Sequence, residues 1–326
     1  MAVSYHTVTE HEAGQRIDNF LLKYFKKVPK SVIYRILRKG EVRVDKKRVK
    51  PDRKLALGEE IRIPPVRVEE KAEATQQAAP QELLDKIESA VLLEDDHLIV
   101  LNKPAGLPVH GGSGVKHGLI ESFRQLRPNL PFVELVHRLD RDTSGLILLA
   151  KSRKVLNSLH AMLRDGGMEK HYQALVAGKW KGGRQHIVTD LERSGGSRQK
   201  IQVADDDGKT AESIFAPLLI TPECSLLDVQ ILTGRMHQIR VQLAHLGYPI
   251  IGDDRYGDFA LNREYKKSGL KRLFLHAATL DFMLDLSGQK YQLKAPLPED
   301  LQQILKQVKK KCVLKNQQPI SVLISC

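Results

Sequence analysis

The stretch from Glu134 to Lys151, ELVHRLDRDTSGLILLAK, most constrains how this chain can fold. It opens apolar and then gathers His137, Arg138, Asp140, Arg141 and Asp142. It passes the turn Thr143-Ser144-Gly145 and resumes as Leu146-Ile147-Leu148-Leu149-Ala150. A continuous apolar run of this length, bounded by turn residues, predicts a buried strand. Charges wedged between buried segments are costly unless paired or used, because an isolated carboxylate resists leaving water. Asp140 is therefore the residue that needs a reason. Turns held by a rigid strand are also where chemistry tends to sit.

Composition narrows the class. With 41% hydrophobic and 28% charged residues, the 326-residue chain reads as globular and long enough for more than one domain. No apolar run approaches the roughly 20 residues of a membrane-crossing helix. The N-terminus, MAVSYHTVTEHEAGQ, lacks the basic-then-apolar plan of a signal peptide. Cys224, Cys312 and Cys326 are too scattered for a disulfide framework or a CxxC metal site. A cytoplasmic location is expected, with a monomer as the default. The net charge of +13 points to a polyanionic partner. Its placement says more, since residues 14–65 hold 16 Lys and Arg against 6 Asp and Glu. So concentrated a patch favours nucleic acid over a merely solubilising surface.

Residues 1–13 carry few structural signals and read as an N-terminal extension. Ile17, Phe20, Leu21 and Tyr24 have helical spacing, and a second helix is predicted from an N-cap at Ser31 to a C-cap at Gly40. Strands are predicted at 41–44 and 57–64, with the basic turn Lys46-Lys47-Arg48 between them. The result is a small α/β module over 14–65. Arg35, Arg38, Lys39, Arg43, Lys46 and Lys47 are its candidate phosphate-binding cations. Aromatics are sparse here, so binding would be to phosphate and shape. Residues 66–88 lose the large apolar side chains and read as a mobile linker, with a short helix in ELLDKIE. From 89 to 312, strands near 98–101, 170–176, 226–232, 274–280 and 291–293 alternate with helical patterns. Those helices fall near 155–164, after Thr233, and near 301–308. This mix predicts an α+β domain on a mostly antiparallel mixed sheet flanked by helices. The glycine loop at 110–114 lacks the spacing of a phosphate loop. Residues 313–326 read as a C-terminal tail.

Several chemistries find no support in the spacing. His137, Asp140 and His237 match neither HExxH nor a Cys/His metal pattern. His137-Arg138 lacks the glycine-rich loop and DFG of a kinase, and no GxSxG accompanies Ser144. What remains is an aspartate among arginines in a nucleic-acid-binding chain. A carboxylate beside a guanidinium keeps its charge and can serve as a nucleophile at neutral pH. Arg240 is a candidate for that cation. A plain buried ion pair fits the same residues equally well.

HRLDRDTSGLILLAK resembles the active-site motif of the RluA-type pseudouridine synthases, HRLDxxTSGxLLxAK. Further segments agree in the family's order: EDDHLIVLNKPAGLPVHGG, KHYQALVAG, TGRMHQIRVQLAHLGYPIIGDDRYG and RLFLHAATL. IDNFLLKYF, SVIYRILRKGEVRVDKKRV and LGEEIRIP resemble the small RNA-binding domain of a ribosomal small-subunit protein, some tRNA synthetases and many RNA-modifying enzymes. Met236 and Gln242 depart from the usual GR[TS]HQ[IL]RVH, which leaves their local packing or RNA contact open.

The resemblance implies a pseudouridine synthase fold and an enzyme that isomerises uridines in large-subunit (23S) ribosomal RNA or its precursor particles. It implies no metal and no cofactor. Asp140 would be the nucleophile and Arg240 its partner. Tyr172 would stack on the flipped uracil and assist proton removal from carbon 5. Arg138 would fill the gap left in the RNA, and Leu275 would pack beneath the base. Two rivals stand beside this reading: a non-catalytic ribosome-assembly factor, and a glycosylase that releases the base.

Overall fold

The computed structural model describes residues 3–25, 28–66, 78–111, 117–194, 200–204 and 208–315. They form a small and a large unit, each with its own sheet.

The small unit runs β1 (Ser4–Thr7), α1 (Ile17–Tyr24), α2 (Lys30–Lys39), β2 (Arg43–Val44), β3 (Lys47–Arg48) and β4 (Glu60–Ile63), with strand order β1-β4-β2-β3. Helical spacing turns Ile17, Phe20 and Leu21 of α1 and Ile33, Ile36 and Leu37 of α2 onto Val44, Ile61 and Ile63. Gly40 closes α2 in the left-handed region, as expected of a C-cap. Ser31 is not the N-cap. The helix starts at Lys30 behind Pro29, and no side chain caps it. Asp45 and Lys46, with φ of 45° and 65°, make the tight turn between β2 and β3. Residues 1–13 are more than an extension, because Ser4–Thr7 pairs antiparallel with β4 along its free edge.

The large unit opens with α3 (Gln81–Glu88), β5 (Val91–Glu94), β6 (Leu98–Lys103), α4 (Leu119–Leu126), β7 (Glu134–Leu135), β8 (Ser144–Ala150) and α5 (Arg153–Asp165). It continues with β9 (Glu169–Ala177), β10 (Gln185–Arg193), β11 (Ile201–Val203), β12 (Lys209–Ile220) and β13 (Cys224–Ile231). It ends with α6 (Gln238–His245), α7 (Phe259–Lys267), β14 (Leu275–Leu284), β15 (Gln289–Lys294) and α8 (Glu299–Lys315). The sheet order is β11-β10-β12-β13-β9-β14-β8-β6-β5, with β15 beside β14 and β7 beside β8. Among the described strands only β8 and β14 pair in parallel, so the sheet is mixed and mostly antiparallel, as predicted.

Strand β8 shows why the apolar run is continuous. All seven of its residues are buried. Ile147 and Leu149 face one core, while Leu146, Leu148 and Ala150 face the other. Each fully buried aliphatic side chain contributes about 1.5–3 kcal/mol. Gly145 pairs with Ala277 in the parallel ladder at a φ of 112°, where an added Cβ would lie 2.1 Å from the Ala277 carbonyl oxygen. Only glycine permits that approach.

The stretch read as a linker divides. Residues 67–77 lie outside the described residues, and so does most of the glycine loop at 110–114. Residues 79–88 belong to the large unit. Ala79 N–H donates to Gln125 Oε1 at 2.8 Å, and Ile87 is fully buried in the main core. Beyond α8, residues 316–326 lie outside the described residues. No described helix is long and apolar enough to cross a membrane.

Candidate active site

Asp140 sits in the loop between β7 and β8. Two supports hold that loop. Thr143 N–H donates to the Asp140 carbonyl at 3.2 Å. Lys103, fully buried at the end of β6, donates through Nζ to the carbonyls of Pro104 (3.0 Å), Leu107 (2.9 Å) and Arg141 (3.0 Å). Burial draws the Lys103 pKa down to about 7 against the opposing pull of Asp142 and Asp140. Three carbonyl acceptors match the three hydrogens of its charged form.

Behind the loop, Arg272 Nη2 donates to Ser144 Oγ at 2.6 Å, and Ser144 Oγ lies 2.9 Å from His276 Nδ1. Burial holds the His276 pKa near 4, so its ring is neutral. Its Nε2 lies 3.2 Å from the Ala295 carbonyl, which leaves Nδ1 to accept from the serine.

Helix α6 supplies the cation. Arg240 Nε and Nη2 grip both oxygens of Asp253, at 2.7 and 2.8 Å, and leave Nη1 free to reach Asp140 Oδ2 at 3.2 Å. Asp253 also accepts from the backbone N–H groups of Arg255 and Tyr256. Burial alone would raise the Asp253 pKa, but the guanidinium and these N–H groups outweigh it and hold it low. Burial likewise opposes the charge on Arg240, yet Asp253 and Asp140 together raise its pKa. The guanidinium carbon stands 5.1 Å from the Tyr256 ring centroid.

His237 precedes the helix at a φ of 56° and brings Nε2 to 3.7 Å from Asp140 Oδ2. Its Nδ1 lies 2.9 Å from the Tyr256 hydroxyl, which accepts from Ile201 N–H at 3.0 Å. A hydroxyl proton given to Nδ1 and a ring proton on Nε2 satisfy all these groups. Burial lowers the His237 pKa, Arg240 and Arg255 reinforce it, and Asp140 opposes them.

The sheet provides the floor. Tyr172 on β9 pairs with Ala277 of β14, and Leu275 pairs with Ala174, so Tyr172 and Leu275 project from one face. Burial raises the Tyr172 phenol pKa and the Asp140 carboxylate adds to the shift, so the phenol stays protonated at neutral pH.

Arg138, Asp140, Tyr172, Arg240 and Leu275, expected from the sequence, all line one cavity of about 270 Å³ together with His237. Arg138 is exposed at its rim. Arg35, Arg38, Lys39, Arg43, Lys46 and Lys47 are exposed on the small unit, and none lines the cavity. His137 does not belong to it either. Its Nε2 accepts from Leu148 N–H at 3.3 Å, within the strand pairing. Among the described residues no group of three His, Cys, Asp or Glu is arranged to hold a metal ion.

The sequence alone marks no role for Asp253, Tyr256 or Lys103. Their signals lay in GDDRYG and NKP, which carry no chemistry until the fold brings them to the loop. Of the two departures from the family pattern, Gln242 is fully buried and bonded to Thr189, Ala211 and Ser213, so it is a packing residue. Met236 both lines the cavity and packs against the small cluster around Val241.

A ribosomal large subunit pseudouridine synthase C from Escherichia coli (strain K12) is 48% identical over 308 residues, covering 93% of this chain and 95% of the relative. The chain belongs to the RNA pseudouridylate synthase family. The family's RNA pseudouridylate synthase model matches residues 97–245, and the S4 domain model matches residues 15–61. A relative of the same name from Yersinia pestis is 47% identical, covering 95% of this chain and 97% of its own length. Among solved structures, human RNA pseudouridylate synthase domain containing 4 shares the fold, with a TM-score of 0.58 at 23% identity over 70% of this chain and 96% of that one. The α+β pseudouridine synthase fold, the RNA-binding domain and the isomerase activity expected from the motifs are thus supported.

Proposed function

We propose that this pseudouridine synthase isomerises specific uridines of large-subunit ribosomal RNA, with Asp140 as its nucleophile. The substrate follows the names of the relatives. One observation carries the nucleophile assignment: among the described residues, Asp140 is the single carboxylate lining the cavity of about 270 Å³. Arg240 neutralises it without capturing it, because that guanidinium is already held by Asp253.

The reaction divides among the lining residues. The target uridine leaves its stack and enters the cavity, and Arg138 at the rim takes the vacated space. The Asp140 carboxylate attacks the anomeric carbon or the uracil ring, and the N1–C1′ bond breaks. The base turns on the floor formed by Tyr172 and Leu275, a C5–C1′ bond forms, and the bond between Asp140 and the substrate breaks, which returns the free carboxylate. C5 then loses its proton and N1 gains one, so no atom is added overall. Tyr172 begins as a neutral phenol.

A glycosylase would need a second carboxylate or base to activate water. Asp142, the nearest one in sequence, is turned to Arg141 at 3.1 and 3.2 Å. The test is tritium release from large-subunit ribosomal RNA transcripts labelled at carbon 5 of uridine. Release by the wild type and none by Asp140→Asn is expected. Free uracil with abasic RNA would support the glycosylase, and no release from transcripts or ribosomal subunits would support the assembly factor.

A further inference from the structure

Phe259 alone of the eight phenylalanines is exposed, at 59%. It opens α7, a helix with no buried residue, so the ring supports no core. Asp258 caps that helix by accepting from Ala260 and Leu261 N–H, which fixes where the ring emerges. Phe259 borders a cavity of about 260 Å³ together with Lys200, Asp254 and Arg255. Asp254 and Arg255 also border a groove of about 550 Å³ that reaches Asp140, Arg138 and His237. The exposed ring and the two cations are therefore continuous with the catalytic cavity.

This second cavity is rigidly tied to the first. Asp253, which holds Arg240, also accepts the N–H groups of Arg255 and Tyr256, and its carbonyl accepts from Asn262 Nδ2 at 2.8 Å. Tyr256 bonds His237 on one side and the Ile201 amide, next to Lys200, on the other. The acidic member, Asp254, lies 3.8 Å from Arg240 Nη2 and is thus turned toward a cation.

We propose that Lys200, Arg255 and Phe259 form a second nucleotide subsite. It takes an unpaired base flanking the target uridine in the same RNA strand. The base stacks on Phe259, and its phosphate lies against Lys200 and Arg255. An apolar ring beside two cations suits this ligand, because any base has a stacking face and every nucleotide brings one negative charge. The subsite deepens the uridine-isomerising reading and rests on it.

The test measures binding of the tightest-binding fragment of a large-subunit ribosomal RNA transcript, intact and with single abasic positions. Phe259→Ala should raise Kd about five- to a hundredfold, and Phe259→Tyr, which keeps the ring, should restore it. One abasic position should weaken the wild type by a similar factor and weaken Phe259→Ala no further. Unchanged binding by Phe259→Ala, or losses that add at every abasic position, would overturn the subsite. Tritium release by the wild type on the same fragment is read separately. Its absence with the coupling present would count against the isomerase reading while leaving the subsite standing.

Discussion

In the small unit, Arg35, Lys46 and Lys47 stand exposed with no ion pair among the described residues. In the cavity, Arg240 is 6% exposed and bound to two carboxylates. The same kind of charge serves two ends. An exposed cation keeps its water and counterions until a phosphate displaces them, so it adds affinity that salt weakens. A buried, paired cation is costly to place and fixed in direction, so it organises a reaction at one atom and responds little to salt. The difference teaches that a count of basic residues predicts the partner, while only geometry separates the charges that bind from the charges that position.

The strongest way to break this comparison is to remove the buried pair from one side. Arg240→Met leaves Asp253 buried without its partner and should cost about 3–5 kcal/mol of stability, read as a lowered denaturation midpoint. Stability within about 0.5 kcal/mol of wild type would mean that the pair is no more than a surface contact. Lys103→Met takes the Nζ donor from three carbonyl oxygens, of which that of Leu107 is buried, and should cost about 1–3 kcal/mol, with a slower isomerisation because the Asp140 loop loses its anchor. Activity unchanged beside a clear loss of stability would show that the anchor holds the fold alone.

A pH titration sharpens the buried side further. Burial lowers the pKa of both His137 and His276 from 6.5 to about 4. The unfolded chain takes up these protons near pH 6.5 and the folded chain resists until about pH 4, so stability should fall as pH drops across that window. His276→Asn should flatten part of the decline, and an unflattened curve would remove His276 from the explanation. On the exposed side, Arg35→Ala and Lys47→Ala should each reduce the salt slope of RNA binding by about 0.7–0.9, with no measurable change in folding stability. Slopes equal to wild type would mean that these two cations touch no phosphate.

Much of this was legible in the sequence where one physical signal dominated. The run after Gly145 is apolar at every position because β8 faces a core on both sides, as its neighbour β6 does over Leu98–Leu101. Asp140 could be singled out because charge beside such a run requires a reason. The edge strand at Ser4–Thr7 escaped because its outward Tyr5 is 62% exposed and breaks the alternation. Helix α7 escaped because none of its residues is fully buried, and only Leu261 and Tyr265 pack in part against the main core. Asp253 escaped for a different reason. Thirteen residues and a turn separate it from Arg240, and nothing in GDDRYG says which aspartate folds inward. Gln242 marks the same limit, since its satisfied burial depends on Thr189 and Ser213 from two distant strands.

The most direct test of the division between binding and positioning charges is single-turnover tritium release at saturating enzyme, run beside RNA binding over a range of salt. Asp140→Asn should lose roughly a thousandfold or more in rate while keeping the wild-type salt slope. The Arg35→Ala/Lys47→Ala double variant should lose slope while turning over bound RNA within about twofold of wild type. Rate and slope falling together in either protein would contradict the account.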